Sequence, residues 1–558
     1  MRPLVSNRLS GVVPGLLLSA AAGCLLSACE PSAPADETRP GWTSTMRAEP
    51  DVPEAERYGG TLVVAGRGDP MSMNSLVSTD FESGQHQLFV LFVTLVSADE
   101  DYRPQPYFAR SWEFDADTSE VTFHLRHDLE WHDGTPVTAR DVAFTFERIK
   151  DPEVPFPNPS YFDFWDAVEV IDPVTVRFFL RPHANALYGW ARTAIMPEHI
   201  LGDVAPAELE SHPFGFQSPV GNGPFRFVER IPGDRWVFEA NPDFPEDLGG
   251  RPYLDRLVYR QIPDEFALGA ALQTGEVDLV IEASPSMLEQ VGEDPDITTA
   301  SYAAPEYAFI AWNSKRPEFA DPSVRRALTM AIDRETLVQA VLGGNGEIAP
   351  GPVGPWHWAY DSAWTPVPYD PSAASALLDE SGWVDSDDDG IRDRGGEPLS
   401  FELLATPRRD WGAVQTLVQA SLGQVGVDVE PVVREQGALI PMVIGPDRRF
   451  DAVLIGWARD VPLNDVDLWA CDQVGQPFQF TSYCNPELDV VLDSIPLETD
   501  RDRLRSLIGR YHELVVADQP YSFLYYVDRV DLARSRVYGI EMDSRGDWVN
   551  VARWWVND

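Results

Sequence analysis

Apolar residues alternate with polar ones in some windows of this chain and recur on helical spacing in others. Across residues 120–131, Val121, Phe123, Leu125, Leu129 and Trp131 all fall on odd positions, the period of a half-buried strand or hairpin arm. Gly59 and Gly60 lead into the β-branched run 61–65, and LDRLVYRQI (254–262) and DAVLIGWA (451–458) predict further strands. Helical spacing begins after the turn dipeptide Asp133-Gly134. Thr138 and Asp141 have capping-box spacing, and Val142, Phe146 and Ile149 follow at i, i+4 and i+7, predicting a helix that stops before Pro152. Asp321-Pro322 and Asp370-Pro371 each set an N-cap before a proline at the first helical position. Val324, Leu328, Ala331 and Ile332 line the first of these helices; Leu377 and Leu378 lie on the second, with Gly382 as its expected C-cap. Such alternation predicts an α/β chain with mixed sheets, and no repeat at solenoid spacing occurs.

The first 28 residues break this pattern. Arg2 and Arg8 precede GVVPGLLLSAAAGCLLSAC, a run too short and too rich in small residues for a membrane span, as in a signal peptide. It ends in Leu26-Ser27-Ala28-Cys29, which resembles a bacterial lipobox, where the Cys is acylated and becomes the new N-terminus. Cys24 follows a poorer match without the leading Leu, and a plain secretory signal cut elsewhere is the alternative. Residues 29–57 are rich in Pro, Ser and acid and read as a flexible tether. The chain is therefore expected to be exported and held by lipid at Cys29, in the periplasm or at the cell surface.

Charge and cysteine content narrow the function. A formal charge of −46 would repel phosphate backbones, so no nucleic-acid partner is expected. With Cys24 in the signal and Cys29 lipidated, Cys471 and Cys484 remain and are expected to form a disulfide. The alternative, a thiolate metal site or nucleophile, lacks nearby His. His132 beside Asp133 invites a metal or hydrolase reading, but no HExxH, second ligand-spaced His or GxSxG accompanies it. That corner reads as scaffold, and no catalytic residue is expected. A phosphate-binding GxxxxGK[ST] loop is also absent, so any transport energy must come from partners.

SWEFDADTSEVTFHLRHDLEWHDGTPVTARDVAFTFERI (111–149), PVGNGPFRF (219–227), WNSKRPEFADPSVRRALTMAIDRETLV (312–338), YDPSAASALLDESGW (369–383), IGWARD (455–460) and FTSYCNPELDVVL (480–492) together carry a resemblance. The chain, from Tyr58 to its C-terminus, resembles the family 5 extracellular solute-binding proteins, the dipeptide, oligopeptide and nickel receptors of ABC importers. The resemblance implies a two-lobed periplasmic-binding-protein type II fold with a hinge and an extra domain. Lobe I would comprise 58–95, 216–306 and 526–558, the extra domain 96–215 and lobe II 307–525. It also implies a monomer that captures a peptide, needs no cofactor, and delivers its ligand to a permease with ATPase subunits. A nickel chelate or oligosaccharide ligand, or a secreted hydrolase, are the alternatives.

A flexible peptide is best gripped by its termini, and burying those charges requires opposite ones. The resemblance assigns the ligand ammonium to Asp460, which could instead be a surface acid paired with Arg459. Trp457 would supply an apolar wall or be core. Arg408 and Arg409, with Trp411 beside them, are candidates for the carboxylate. Asn313 and the 67–74 segment ending in Asn74 would line the cleft; many relatives have Asp at the position of Asn74. Separately, DSDDDGIRD (385–393) reproduces the front of an EF-hand calcium loop. Asp385, Asp387 and Asp389 stand at positions 1, 3 and 5, Gly390 at 6, Ile391 at the backbone-carbonyl position 7 and Asp393 at 9. Position 12 is Gly396 rather than Glu, leaving structural calcium and a solvated acidic loop as the two readings.

Overall fold

A computed structural model describes residues 42–44 and 49–557, apart from 79, 116–118, 157–161, 163, 182–185, 293, 408–410, 446, 460–462 and 464. The signal segment, Cys29, Arg408, Arg409 and Asp460 thus lie outside the described residues. In chain order the strands that position the site are β1 (Thr61–Gly66), β2 (Ala109–Phe114), β3 (Glu120–Leu125), β4 (Trp165–Asp172), β5 (Thr175–Leu180), β6 (Phe225–Ile231), β7 (Arg235–Ala240), β8 (Arg256–Gln261), β9 (Leu279–Val280), β10 (Ile297–Trp312), β11 (Ser400–Ala405), β12 (Asp428–Val433), β13 (Ala452–Ala458) and β14 (Tyr521–Arg534). The helices used below are α1 (Phe81–Gln85), α2 (Ala139–Lys150), α3 (Pro322–Ala331), α4 (Pro371–Glu380), α5 (Trp411–Gly423), α6 (Gln436–Ile444) and α7 (Arg501–Asp518).

One 12-stranded mixed sheet runs in the order β12-β11-β13-β10-β14-β9-β1-β8-β7-β6, with 42–44 added beside β10 and 346–348 beside β14. β1 is parallel to β8 and β9, and β11 is parallel to β12 and β13, while β10 and β14 form a long antiparallel pair through the middle. The packing changes along that pair. On β10, Ala300 and Tyr302 belong to the apolar cluster built on β1, whereas Tyr307 and Phe309 belong to a second cluster. The β10–β14 ladder is interrupted between Ala303 and Tyr307, so the chain crosses between two cores where the pairing is weakest. The expected lobe boundaries, 306/307 and 525/526, fall beside this break.

The caps read from the sequence form with the predicted chemistry. Thr138 Oγ1 accepts from Arg140 N at 3.3 Å and Asp141 Oδ2 accepts from Thr138 N at 2.8 Å, starting α2. Asp321 Oδ1 takes Ser323 N at 2.8 Å and Asp370 Oδ1 takes Ala373 N at 2.9 Å. Each such cap is worth about 1 kcal/mol. Val324, Leu328, Ala331 and Ile332 are all buried. Gly382 is not itself the cap: α4 is capped by Ser381, and Gly382 follows with φ +82°. A four-stranded antiparallel sheet, β2-β3-β5-β4, forms the body of the segment expected as an extra domain. Its Val121, Phe123, Val176 and Phe178 join the same apolar cluster as Leu62 and Val64, so this segment shares a core with the β1 side of the molecule.

Candidate ligand-binding site

A cavity of about 250 Å³ lies where the second core meets the crossing. Its walls come from Glu306 on β10, Thr406 after β11, Trp411 at the start of α5, Gln436, Leu439 and Ile440 on α6, and Leu454, Ile455, Gly456 and Ala458 of β13. Gly456 makes this approach possible: a Cβ there would lie 3.0 Å from Glu306 Oε1 and 3.6 Å from Trp411 Cζ2. Glu306 is the last of the three residues, 304–306, in that break, so the cavity adjoins the crossing between the two cores.

The candidate residues separate into three groups. Trp411 lines the cavity, and Trp457, one residue from Gly456, is half-buried with its ring edge-on to Phe478 at 5.9 Å. Arg408 and Arg409 fall between Thr406 and Trp411, and Asp460 follows Arg459, all outside the described residues. Asn74 and Asn313 are not among the cavity walls. Asn74 is fully buried, with Oδ1 accepting from Leu76 N at 3.1 Å and Nδ2 donating to Leu209 O at 3.4 Å. Asn313 is also buried and donates to Arg448 O at 3.2 Å and Phe450 O at 2.8 Å. Their side chains are spent on nearby backbone groups. From the 67–74 segment Arg67 and Met71, the latter 66% exposed, face outward.

Sequence reasoning missed Glu306, Gln436, Leu439, Ile440 and Gly456. Only Gly456 had a signal, since a glycine inside a strand marks a close approach. The others come together from segments up to 150 residues apart, beyond any local pattern.

Two buried ion networks flank the crossing. Arg459 Nη2 meets Asp465 Oδ1, while Arg459 N donates to Pro305 O at 2.6 Å. On the other side, Arg529 faces Asp547 at 3.2 Å and Glu282 at 3.5 Å, and Tyr302 OH donates to Asp547 at 2.5 Å. Behind Arg529, burial, aided by Asp547 and Glu282, pushes the Glu82 carboxyl up to about 8. The Tyr259 hydroxyl donates to Gly68 O at 2.9 Å.

The remaining motifs resolve as follows. Cys471 and Cys484 are disulfide-bonded with Cα atoms 4.7 Å apart. His132 is a scaffold residue: Nε2 lies 3.1 Å from Gly223 O, and burial lowers its pKa to about 4, keeping the ring neutral. Asp385, Asp387 and Asp389 bring carboxylate oxygens within 4.8 Å of one another. Asp393 is turned away from them, accepting from Ser386 N at 3.0 Å, and Ile391 N donates to Asp389 at 2.7 Å.

An α/β chain whose cores on either side share the crossing strands β10 and β14, with a cavity beside that crossing, has the architecture of a solute-binding protein. Residues 103–476 match the family described as bacterial extracellular solute-binding proteins, family 5 Middle, and the chain belongs to that family. It is 32% identical over 510 residues to the oligopeptide-binding protein AppA of Bacillus subtilis, covering 90% of this chain and 92% of that protein. The solved structure of AppA with a nonapeptide superposes with a TM-score of 0.73 at 30% identity, over 90% of this chain and 100% of that one. Heme-binding protein A of Haemophilus influenzae is 28% identical over 533 residues, 90% of this chain and 92% of that protein.

Proposed function

We propose that this chain is an extracytoplasmic receptor that captures peptides between its lobes and delivers them, chemically unchanged, to the permease and ATPase subunits of an ABC importer. The observation that carries this reading is the full-length similarity to an oligopeptide-binding protein, in sequence and in a peptide-bound structure. Asp460 would pair the ligand ammonium and Arg408 or Arg409 its carboxylate, each charge meeting its opposite as water leaves the closing cleft. The proposal includes acylation at Cys29, residues 29–57 as the tether, a monomeric body, and lobes divided at the break in β10. It also includes a calcium ion at Asp385, Asp387 and Asp389, where a cation would offset the repulsion of three close carboxylates. Heme-binding protein A supports a second reading, capture of a non-peptide solute at the same junction.

The test is native mass spectrometry of residues 30–558 purified without added ligand. Co-purified masses that fragment as short peptides support the first reading. A single non-peptide mass replaces it with the second, and removes the roles given to Asp460 and Arg408.

A further inference from the structure

Besides sharing the crossing strands, the two cores meet through a strap. Val96–Ala98 pairs with Pro104–Pro106, and this hairpin is rooted in the first core by Leu95, Val96 and Phe108. Its loop, 99–103, leaves that core and lays Tyr102 against the second one. Tyr102 has φ +58°, a left-handed conformation that a bulky residue keeps only where its contacts offset the strain. The Tyr102 hydroxyl donates to Ser544 Oγ at 2.8 Å, and Ser544 Oγ donates onward to Trp356 O at 3.2 Å. Ser544 lies between Met542 and Trp548 of the first core, whereas Trp356 belongs to the second. From the second core, Arg501 at the start of α7 donates to Asp101 O at 2.9 Å.

Each half of this contact holds its shape without the other. Within the hairpin, the Asp99 carboxylate accepts from Asp101 N at 3.0 Å, Arg103 N at 2.8 Å and Gln105 Nε2 at 3.0 Å. On the facing side the Arg501 guanidinium lies 3.9 Å from the centre of the Trp358 ring, and Arg505 donates to Trp358 O at 2.9 Å. Separation would return Asp101 O, Trp356 O and Arg501 to water, which replaces most of what each bond contributes, and would uncover the Tyr102 ring. Such a contact can break without unfolding either core. We propose that the 99–103 strap is a latch, seated against the Trp356 segment and α7, that holds the two cores together while no ligand is bound and releases when they swing apart about the crossing strands. The inference concerns that motion and stands whatever the ligand is.

The experiment measures distances between spin labels on the ligand-free soluble body by pulsed electron resonance. One label is placed at Asp243→Cys, beside Phe244 of the first core, and the other at Val490→Cys, beside Val491 of the second; both sites are exposed. The otherwise unsubstituted protein is expected to show one short distance. Tyr102→Gly, which suits the left-handed backbone, combined with Arg501→Leu should raise the ratio of long to short distances by about a hundredfold. Tyr102→Phe keeps the ring and should raise it by about tenfold or less. A second label pair within the first core, at Asp243→Cys and Ile171→Cys, should keep its distance in every variant and so reports that the fold is intact. A double variant that keeps the short inter-core distance overturns the latch. So does an unsubstituted protein already spread over long distances. The receptor reading is tested by the co-purified masses and is untouched by either result.

Discussion

Arg459 Nη2 lies 2.5 Å from Asp465 Oδ1, and neither side chain is more than 6% exposed. The second oxygen of Asp465 accepts the Tyr511 hydroxyl on α7, and Tyr511 in turn accepts Trp469 Nε1 at 3.1 Å. Burial works against the charge of Arg459, but Asp465, with Tyr307 and Tyr511, outweighs it and holds the guanidinium firmly protonated. Because Arg459 N also donates to Pro305 O, this pair fastens the end of β13 to the crossing strand β10, beside the cavity.

Removing one partner leaves an uncompensated buried charge. Asp465→Ala is expected to lose about 3–5 kcal/mol of stability, read by chemical denaturation. Arg459→Met combined with Asp465→Leu should lose much less, because no charge remains buried. Equal losses in the two variants would show that packing rather than charge holds this corner.

Glu82 sets an alkaline limit. Its folded pKa of about 8 lies above its ordinary value of 4.5, so below 4.5 both states hold the proton and its contribution is fully present. Between those values only the folded state keeps it, and stability falls by at most about 1.4 kcal/mol per pH unit. Glu82→Gln should remove that component from the decline between pH 5 and 8 in a series of denaturation curves. Parallel wild-type and variant curves would show that Glu82 titrates normally.

Asn313→Ala takes the side-chain donor from the Phe450 carbonyl and the acceptor from Lys315 N, while Arg448 O keeps its bond from Phe450 N. The expected loss is about 1–3 kcal/mol of stability, with ligand affinity unchanged. A weakened affinity at unchanged stability would return Asn313 to the cleft.

The disulfide closes a loop with a sequence separation of 13. Replacing both Cys471 and Cys484 by Ala is expected to lower the free energy of unfolding by about 3 kcal/mol, chiefly by enlarging the unfolded ensemble. A loss well under 1 kcal/mol would mean that the short helices around it restrain this loop already.

For the acidic loop, calcium at ten times its dissociation constant should add about 1.4 kcal/mol, and Asp387→Asn should abolish the gain. No calorimetric signal on titrating calcium into the wild type would leave a solvated loop.

Local signals carried far in this chain. Thr138 with Asp141, Asp321-Pro322 and Asp370-Pro371 bond their own helices within three residues, so their effect needs no tertiary partner. The error at Gly382 was a single position, the ordinary uncertainty of a fraying helix end. Asn74 and Asn313 were harder. A polar residue in a cleft-forming segment looks the same in sequence whether it faces a ligand or an orphan carbonyl.

The α/β class, the helix starts, the scaffold role of the His132 corner and the family are all legible in the residues alone, because each rests on short-range patterning or on motifs kept in order along the chain. Packing of distant segments is what puts Glu306, Trp411, Ile440 and Gly456 around one cavity, commits Arg459 to Asp465, and gives the four-stranded sheet a core in common with β1. These depend on which distant segments pack together, and the burial that follows is what turns ordinary residues into cavity walls, ion pairs and displaced pKa values.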